Sequence, residues 1–248
     1  MRGALMSGLV VLAIAGCGGG GEGSSATLDP PVGTGADRVW VLRPEGTPKS
    51  VVVFVHGLGG PREILPTNHL PWLRHLVEQG NAVIYPAYES QPGGTRAVAH
   101  ILAGVRTGLR ELGNPQVPLA GIGYSRGGRL VVEWAALQRP APHAVLSVFP
   151  SQINPVMEPA IDLRQLDHSL KLKVLVGDSD QAVGNTGAAE LLDRLLAFGF
   201  PQQNIQGSVV HSTPDLVADH FAPLDTGADA RRLFWEPGDQ IVTIARGG

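Results

Sequence analysis

Along this chain, short and almost unbroken apolar runs alternate with stretches whose apolar positions recur at helical spacing. Ser50-Val51-Val52-Val53-Phe54-Val55, Asn81-Ala82-Val83-Ile84-Tyr85-Pro86 and Leu119-Ala120-Gly121-Ile122-Gly123-Tyr124 are of the first kind. Apolar runs of this length suit strands covered on both faces. Arg38 to Pro44 reads as an edge strand ended by its proline. Ala144 to Phe149, Leu172 to Val176 and Asn204 to Val210 complete the series. Between them the pattern predicts helices. One is best from His69 onward and stops at Gly80, and another runs from Thr95 to Leu112 with Val98, Ile101, Val105 and Leu109 on one side. A third starts near Arg126 and continues through Leu130 to Leu137, and a fourth runs from Thr186 to Phe198. Residues 151–170 are patterned weakly and predict a loop with a short helix. After Asp225, Trp235-Glu236-Pro237-Gly238 reads as a helix break and Ile241 to Ala245 as an extended tail. That reading leaves one sheet face without a closing helix. The alternation predicts an α/β domain: an open, mostly parallel sheet with helices on both faces and functional residues beyond the strand carboxyl ends.

The N-terminal stretch follows a different logic. Arg2 precedes an apolar run from Leu5 to Ile14, too short to span a bilayer comfortably, so it reads as an export signal. Leu12-Ala13-Ile14-Ala15-Gly16-Cys17 resembles the lipobox of bacterial lipoproteins, which implies cleavage before Cys17 and lipidation of its sulfur. Cys17 is the single cysteine, so no internal disulfide can form. Gly18 rather than aspartate follows it, which under the same resemblance favours an outer-membrane address. The organisation expected is a signal over 1–16, a flexible Gly/Ser tether over 17–36 and one α/β domain over 37–248. Loss of residues 1–16 removes Arg2 alone, so the formal charge of −3 becomes −4. Mild acidity argues against nucleic acid as a partner.

The chemistry centres on Gly123-Tyr124-Ser125-Arg126-Gly127, where an apolar run meets a helical pattern. This is the strand, sharp turn and helix of a nucleophile elbow. With 33 glycines in 248 residues the pentapeptide alone is a weak signal, and the flanking patterns are what raise it. A serine hydroxyl needs a base to take its proton, and a histidine base needs a carboxylate to fix its tautomer. Asp178 and Asp180 both follow the strand ending at Val176, and His211 and His220 both follow the last strand. Asp178 is close enough to its strand to cap a turn instead. Asp180 stands farther out, and His220 lies on a loop that can reach back to Ser125. Glu89 is a remote alternative acid, and Glu158 and Asp162 read as solvated. His69, His75, His100, His143 and His168 look ordinary, and no histidine spacing suggests a metal.

The order of nucleophile, acid and histidine resembles that of the α/β-hydrolases, as do His56-Gly57-Leu58-Gly59 after a strand and Gly177-Asp178-Ser179-Asp180 after a later one. The likeness extends over about residues 38–225, and the compact, cap-poor bacterial esterases of the dienelactone-hydrolase-like group are the nearest in shape. The resemblance implies an α/β-hydrolase fold without cofactor or metal, with Ser125 as nucleophile. It implies Asp180 as acid, from the spacing after Gly177, and His220 as base, from its Asp-His and Ala-Pro context, leaving Asp178 and His211 as alternatives. It also implies backbone oxyanion donors at Leu58 and Arg126, with His56 and Gly57 supporting that loop. Tyr124 and Leu58 would line the acyl side, and the Arg126 side chain would be exposed or would meet a substrate carboxylate. The activity implied is hydrolysis of short-acyl or soluble carboxylic esters through an acyl-enzyme, with a small molecule as the partner. Amide, peptide or thioester hydrolysis, or a non-catalytic binding role on a lipid anchor, are the competing classes. A dinucleotide site is disfavoured, since no Gly-x-Gly-x-x-Gly opens the domain.

Overall fold

A computed structural model describes residues 28–58, 65–89, 96–154 and 158–247. Its centre is a seven-stranded sheet in the order β1-β3-β2-β4-β5-β6-β7. The strands are β1 (Val39–Leu42), β2 (Ser50–Val55), β3 (Asn81–Pro86), β4 (Leu119–Tyr124), β5 (Ala144–Val148), β6 (Lys171–Gly177) and β7 (Ile205–Val210). Only β1, at one edge, runs antiparallel to its neighbour. Every other pairing is parallel. The strands β2, β3 and β4 are buried at every position, which is why their sequences are continuously apolar rather than alternating.

Period-two geometry divides each central strand between two cores. Val51, Val53 and Val55 belong to the core on one face, which α2 (Ala97–Glu111), α3 (Arg126–Leu137) and α4 (Thr186–Ala197) cover together. Val52 and Phe54 pack on the other face with Trp72, Leu73 and Leu76 of α1 (Leu70–Glu78). The strand and helix positions read from the sequence agree with these bounds to within a residue or two at most ends. Among the described residues of 151–170 the structured element is a 3₁₀ turn at Leu163–Gln165, with the Asp162 carboxylate accepting from the Arg164 N–H.

The C-terminal segment corrects the sequence reading. The chain runs through α5 (Ala228–Ala230), a π-helical turn (Arg231–Trp235) and α6 (Glu236–Gly247), not an extended tail. The π turn carries the Glu236 N–H to the Arg231 carbonyl just before Pro237, so the missing proline N–H falls at a register change near a helix start. Gly238 is a packing contact: a Cβ there would stand 3.2 Å from Trp72 and 3.3 Å from Ile122. Phe234, Trp235, Ile241, Val242 and Ala245 are buried on the α1 face and complete its cover. Burial of each large side chain contributes about 1.5–3 kcal/mol, ample to overrule a local breaker signal.

Part of the stretch read as a tether is laid against the domain. Val32 and Val39 exchange two backbone hydrogen bonds of 2.9 Å, and Leu28 packs against the α1-face core. Cys17, the signal and the glycine run fall outside the described residues. Among the described residues no helix is long and apolar enough to cross a membrane.

Candidate active site

The register of the parallel strands brings the carboxyl ends of β2, β4 and β5 side by side, with Val55 opposite Gly123 and Tyr124 opposite Val148. Ser125 follows β4 with φ 58° and ψ −123°, a backbone conformation that costs a non-glycine residue on the order of 1–3 kcal/mol. The surroundings hold it there. Its N–H donates to the Val148 carbonyl at 2.8 Å, and its carbonyl accepts from the N–H groups of Gly128 and Ser151 at 2.9 and 3.1 Å. The turn is tight enough to require its glycines. A Cβ on Gly123 would lie 2.1 Å from the Gly127 oxygen, and one on Gly127 would lie 2.1 Å from the Val55 oxygen. Helix α3 begins at Arg126, so its positive end lies directly under the serine.

His220 comes from the loop after β7 and Asp180 from the turn after β6. The Ser125 Oγ lies 2.9 Å from His220 Nε2, and His220 Nδ1 lies 2.8 Å from Asp180 Oδ2. The other carboxylate oxygen, Oδ1, accepts the N–H groups of Ala182 and Val183 at 2.8 and 3.0 Å. Burial pushes the Asp180 carboxyl up, but the hydrogen bond from His220 and the two backbone N–H groups outweigh it, leaving the pKa below its ordinary value. Asp180 therefore stays ionised at neutral pH. The His220 ring lies beside the rings of Tyr124 and Phe149, with centroids 5.2 and 6.3 Å away. The Tyr124 hydroxyl, whose pKa is raised chiefly by burial and so keeps its proton, donates to the His220 carbonyl at 2.6 Å.

The alternative acid and base occupy a separate place. Asp178 accepts from the Ser212 N–H at 3.0 Å and its hydroxyl at 2.7 Å, and lies 3.3 Å from His211 Nδ1. The pKa of Asp178 falls to about 2 through these Ser212 bonds first. The His211 side chain is exposed. The two residues hold the exit of β7 and do not reach Ser125.

His56 is fully buried, with Nδ1 2.7 Å from the Gly57 oxygen and Nε2 2.9 Å from the Ala87 oxygen. Burial lowers its pKa to about 4, so the ring is neutral and donates to one of these carbonyls. Gly57 touches the nucleophile: a Cβ there would come within 3.1 Å of Ser125 Cβ. The next residue, Leu58, therefore stands beside the serine with its side chain exposed.

Two readings of charged residues change. The Arg126 side chain is buried and neither exposed nor open to a substrate: its guanidinium meets Glu89 at 2.6 Å and also pairs with Glu158. Glu158 is buried, not solvated, and bridges Arg126 to Arg129. From Arg129 the ladder continues to Glu133 at 2.9 Å and Arg194 at 3.3 Å. Glu89 serves this ladder rather than the triad. His69 is also less ordinary than it looked. It is buried, its Nδ1 has no hydrogen-bond partner among the described residues, and burial lowers its pKa to about 3. Sequence reasoning also passed over Tyr88, which is fully buried with φ 44°. Its position after the run ending at Pro86 was the available signal, since loops past strand carboxyl ends carry function in this architecture. Among the described residues no group of three His, Cys, Asp or Glu side chains is placed to hold a metal ion.

No family model and no curated protein sequence matches the chain. Solved structures do match. Carboxyl esterase 2 from the fungus Tuber melanosporum superposes with a TM-score of 0.63 at 14% identity, over 91% of this chain and 88% of its own. A highly thermostable carboxyl esterase from Bacillus coagulans gives 0.61 at 14% identity, over 84% and 94%. A protein described as a dienelactone hydrolase from Klebsiella pneumoniae gives 0.60 at 16% identity, over 85% and 92%. The chain has the α/β-hydrolase fold. In the α/β-hydrolase arrangement seen here, the nucleophile follows a central strand, and the acid and base follow β6 and β7, the last two strands at one edge.

Proposed function

We propose that the protein is a serine hydrolase that cleaves carboxylic esters. The observation that carries this reading is the unbroken hydrogen-bonded line from Asp180 through His220 to Ser125 Oγ. In the first half-reaction His220 Nε2 takes the Ser125 proton as Oγ bonds to the acyl carbon, and the carbonyl π electrons move onto oxygen. Backbone N–H groups of Leu58 and Arg126 are the proposed donors to that oxyanion, each on the order of 3 kcal/mol in the transition state. The intermediate collapses, His220 gives its proton to the departing alcohol, and the acyl group remains on Ser125. Water then repeats the sequence and frees the acid. Asp180 holds the Nδ1–H tautomer and stabilises the imidazolium without itself taking a proton.

Two of the similar folds belong to proteins named carboxyl esterases, which supports an ester over an amide or thioester. The rim favours short-acyl or soluble substrates. The described part of 151–170 holds only one short 3₁₀ turn where a cap able to enclose a long acyl chain would need more structure. A fluorophosphonate probe should label Ser125 in the folded protein and not the Ser125→Ala variant. Absence of labelling would favour the binding-protein reading. Turnover of p-nitrophenyl esters should peak at short chains, and a peak at palmitate would overturn the substrate assignment.

Lipid attachment at Cys17 is proposed on the lipobox-like run alone, with the catalytic domain held outside the bilayer of the cell envelope. Labelled palmitate should enter the parent protein and not Cys17→Ala. Equal incorporation would refute it.

A further inference from the structure

Three non-glycine residues with positive φ stand at the carboxyl ends of strands around the site: Tyr88 after β3 (φ 44°), Ser125 after β4 (58°) and Phe149 after β5 (50°). The strain at Ser125 is explained by the elbow. Phe149 lies beside the His220 ring. Tyr88 touches neither Ser125 nor His220 through any described bond, yet a bulky residue in this region is a genuine outlier that must be held in place.

What holds it is specific. The Tyr88 ring stacks on His56 with centroids 4.2 Å apart, and the Arg126 guanidinium lies 5.5 Å from the Tyr88 centroid. Arg126 is fixed in turn by Glu89, the residue after Tyr88, and by Glu158 from the far side of the site. Tyr88 is fully buried, and burial followed by the Glu89 charge raises its pKa well above the ordinary value. The hydroxyl therefore keeps its proton and donates to the His56 oxygen at 2.8 Å, with the Gly57 oxygen at 3.2 Å. These carbonyls belong to the two peptide units leading into Leu58, and the second, Gly57 C=O to Leu58 N, carries the Leu58 N–H. In a planar peptide the carbonyl and the following N–H are antiparallel, so anchoring the Gly57 oxygen sets the direction of that donor. The other proposed donor is the backbone of Arg126, whose side chain packs against the same ring.

We propose that Tyr88 is a positioning residue for the oxyanion site, tying the Leu58 and Arg126 backbone donors into one rigid unit through its hydroxyl and its ring. This role rests on the serine-hydrolase reading above. It acts on the position of the donors rather than on substrate, so it should appear in the transition state and not in ground-state binding.

The decisive variant is Tyr88→Phe, which keeps the ring and its stacking and removes only the hydroxyl. Its kcat for a p-nitrophenyl ester should fall roughly tenfold to hundredfold, with KM within about twofold, a loss below that of deleting a donor outright. Affinity for a trifluoromethyl ketone, which forms a tetrahedral oxyanion on the serine, should fall by the same factor as kcat/KM. Inhibition by the product carboxylate should be unchanged. Parent-like kcat and ketone affinity would overturn the role, and so would equal weakening of ketone, ester and product. If Tyr88→Phe does not fold, Glu89→Gln keeps the hydroxyl but loosens Arg126, and a smaller loss with the same signature is expected. Parent-like values there would overturn the role. Fluorophosphonate labelling of the parent separates the two levels. An unlabelled parent refutes the hydrolase reading and this role with it, whereas a labelled parent with an unaffected Tyr88→Phe refutes this role alone.

Discussion

Replacing Asp180 by asparagine tests the triad by its hydrogen-bond directions. Asp180 Oδ1 already accepts two backbone N–H groups, from Ala182 and Val183. An asparagine in this place must turn its carbonyl oxygen toward those donors, since its NH₂ group would leave both facing another donor. The NH₂ group then faces His220 Nδ1, where Asp180 Oδ2 lay 2.8 Å away. A donor there makes Nδ1 the acceptor and puts the ring proton on Nε2, aimed at Ser125 Oγ. The base then arrives already protonated at the atom that must take the serine proton. Such a tautomer reversal costs on the order of 10⁴ in kcat, about 5.4 kcal/mol of activation free energy. The fold should be spared, because both backbone bonds survive. The assay is kcat on p-nitrophenyl acetate for parent and Asp180→Asn at neutral pH, with thermal melts of both. An Asp180→Asn protein that melts with the parent and keeps turnover within tenfold would refute the reasoning. Asp178→Asn should leave kcat within about twofold, since that carboxylate serves only the β7 exit.

The remaining expectations concern stability. Glu158→Ala should destabilise by about 3–5 kcal/mol, because two buried guanidinium groups share that carboxylate; a chemical melt within 1 kcal/mol of the parent would contradict the ladder. Gly123→Ala should cost about 3 kcal/mol or more, whereas Gly238→Ala, whose Cβ meets side-chain atoms at 3.2 Å or more, should cost less; denaturant titration of both variants decides it. His56 and His69 are buried and neutral, with pKa values lowered to about 4 and about 3 by burial. The unfolded chain binds their protons first, so stability should be full above pH 6.5 and should fall as pH drops toward 4. Each would contribute a loss on the order of 3 kcal/mol. His69→Phe should flatten the melting temperature between those limits, and a curve parallel to the parent would remove His69 as a cause.

How much of this could be read in the chain depended on the range of the determining interactions. Strands such as Val51-Val52-Val53-Phe54-Val55 declare themselves because both faces are buried, and the elbow because its glycines are required by contacts a few residues away. Asp180 and His220 stand out from Asp178 and His211 by their reach and by the α/β-hydrolase resemblance together, and they are the pair hydrogen-bonded in line with Ser125. The C-terminal helix was misread because Pro237 and Gly238 act locally as breakers, whereas the burial that overrules them comes from Trp72 and Ile122, distant in sequence. Glu158 reads as solvated, and Arg126 as exposed or facing a substrate carboxylate, for the same reason: no local pattern reveals that a carboxylate will meet two guanidinium groups from another element. Tyr88 escaped notice because its contacts with His56, Gly57 and Arg126 join segments distant in sequence.

The strand order has a consequence for how long the molecule keeps working. The nucleophile stands on β4, in the middle of the sheet, while acid and base hang from β6 and β7 at its open margin. Margins fray at lower free energy than centres. On warming, the proton-handling half of the site should therefore come apart while the serine half is still built. The inactivation lifetime would then be set by the outer pair of strands, and reinforcement of the central core would lengthen the life of the fold more than the life of the activity.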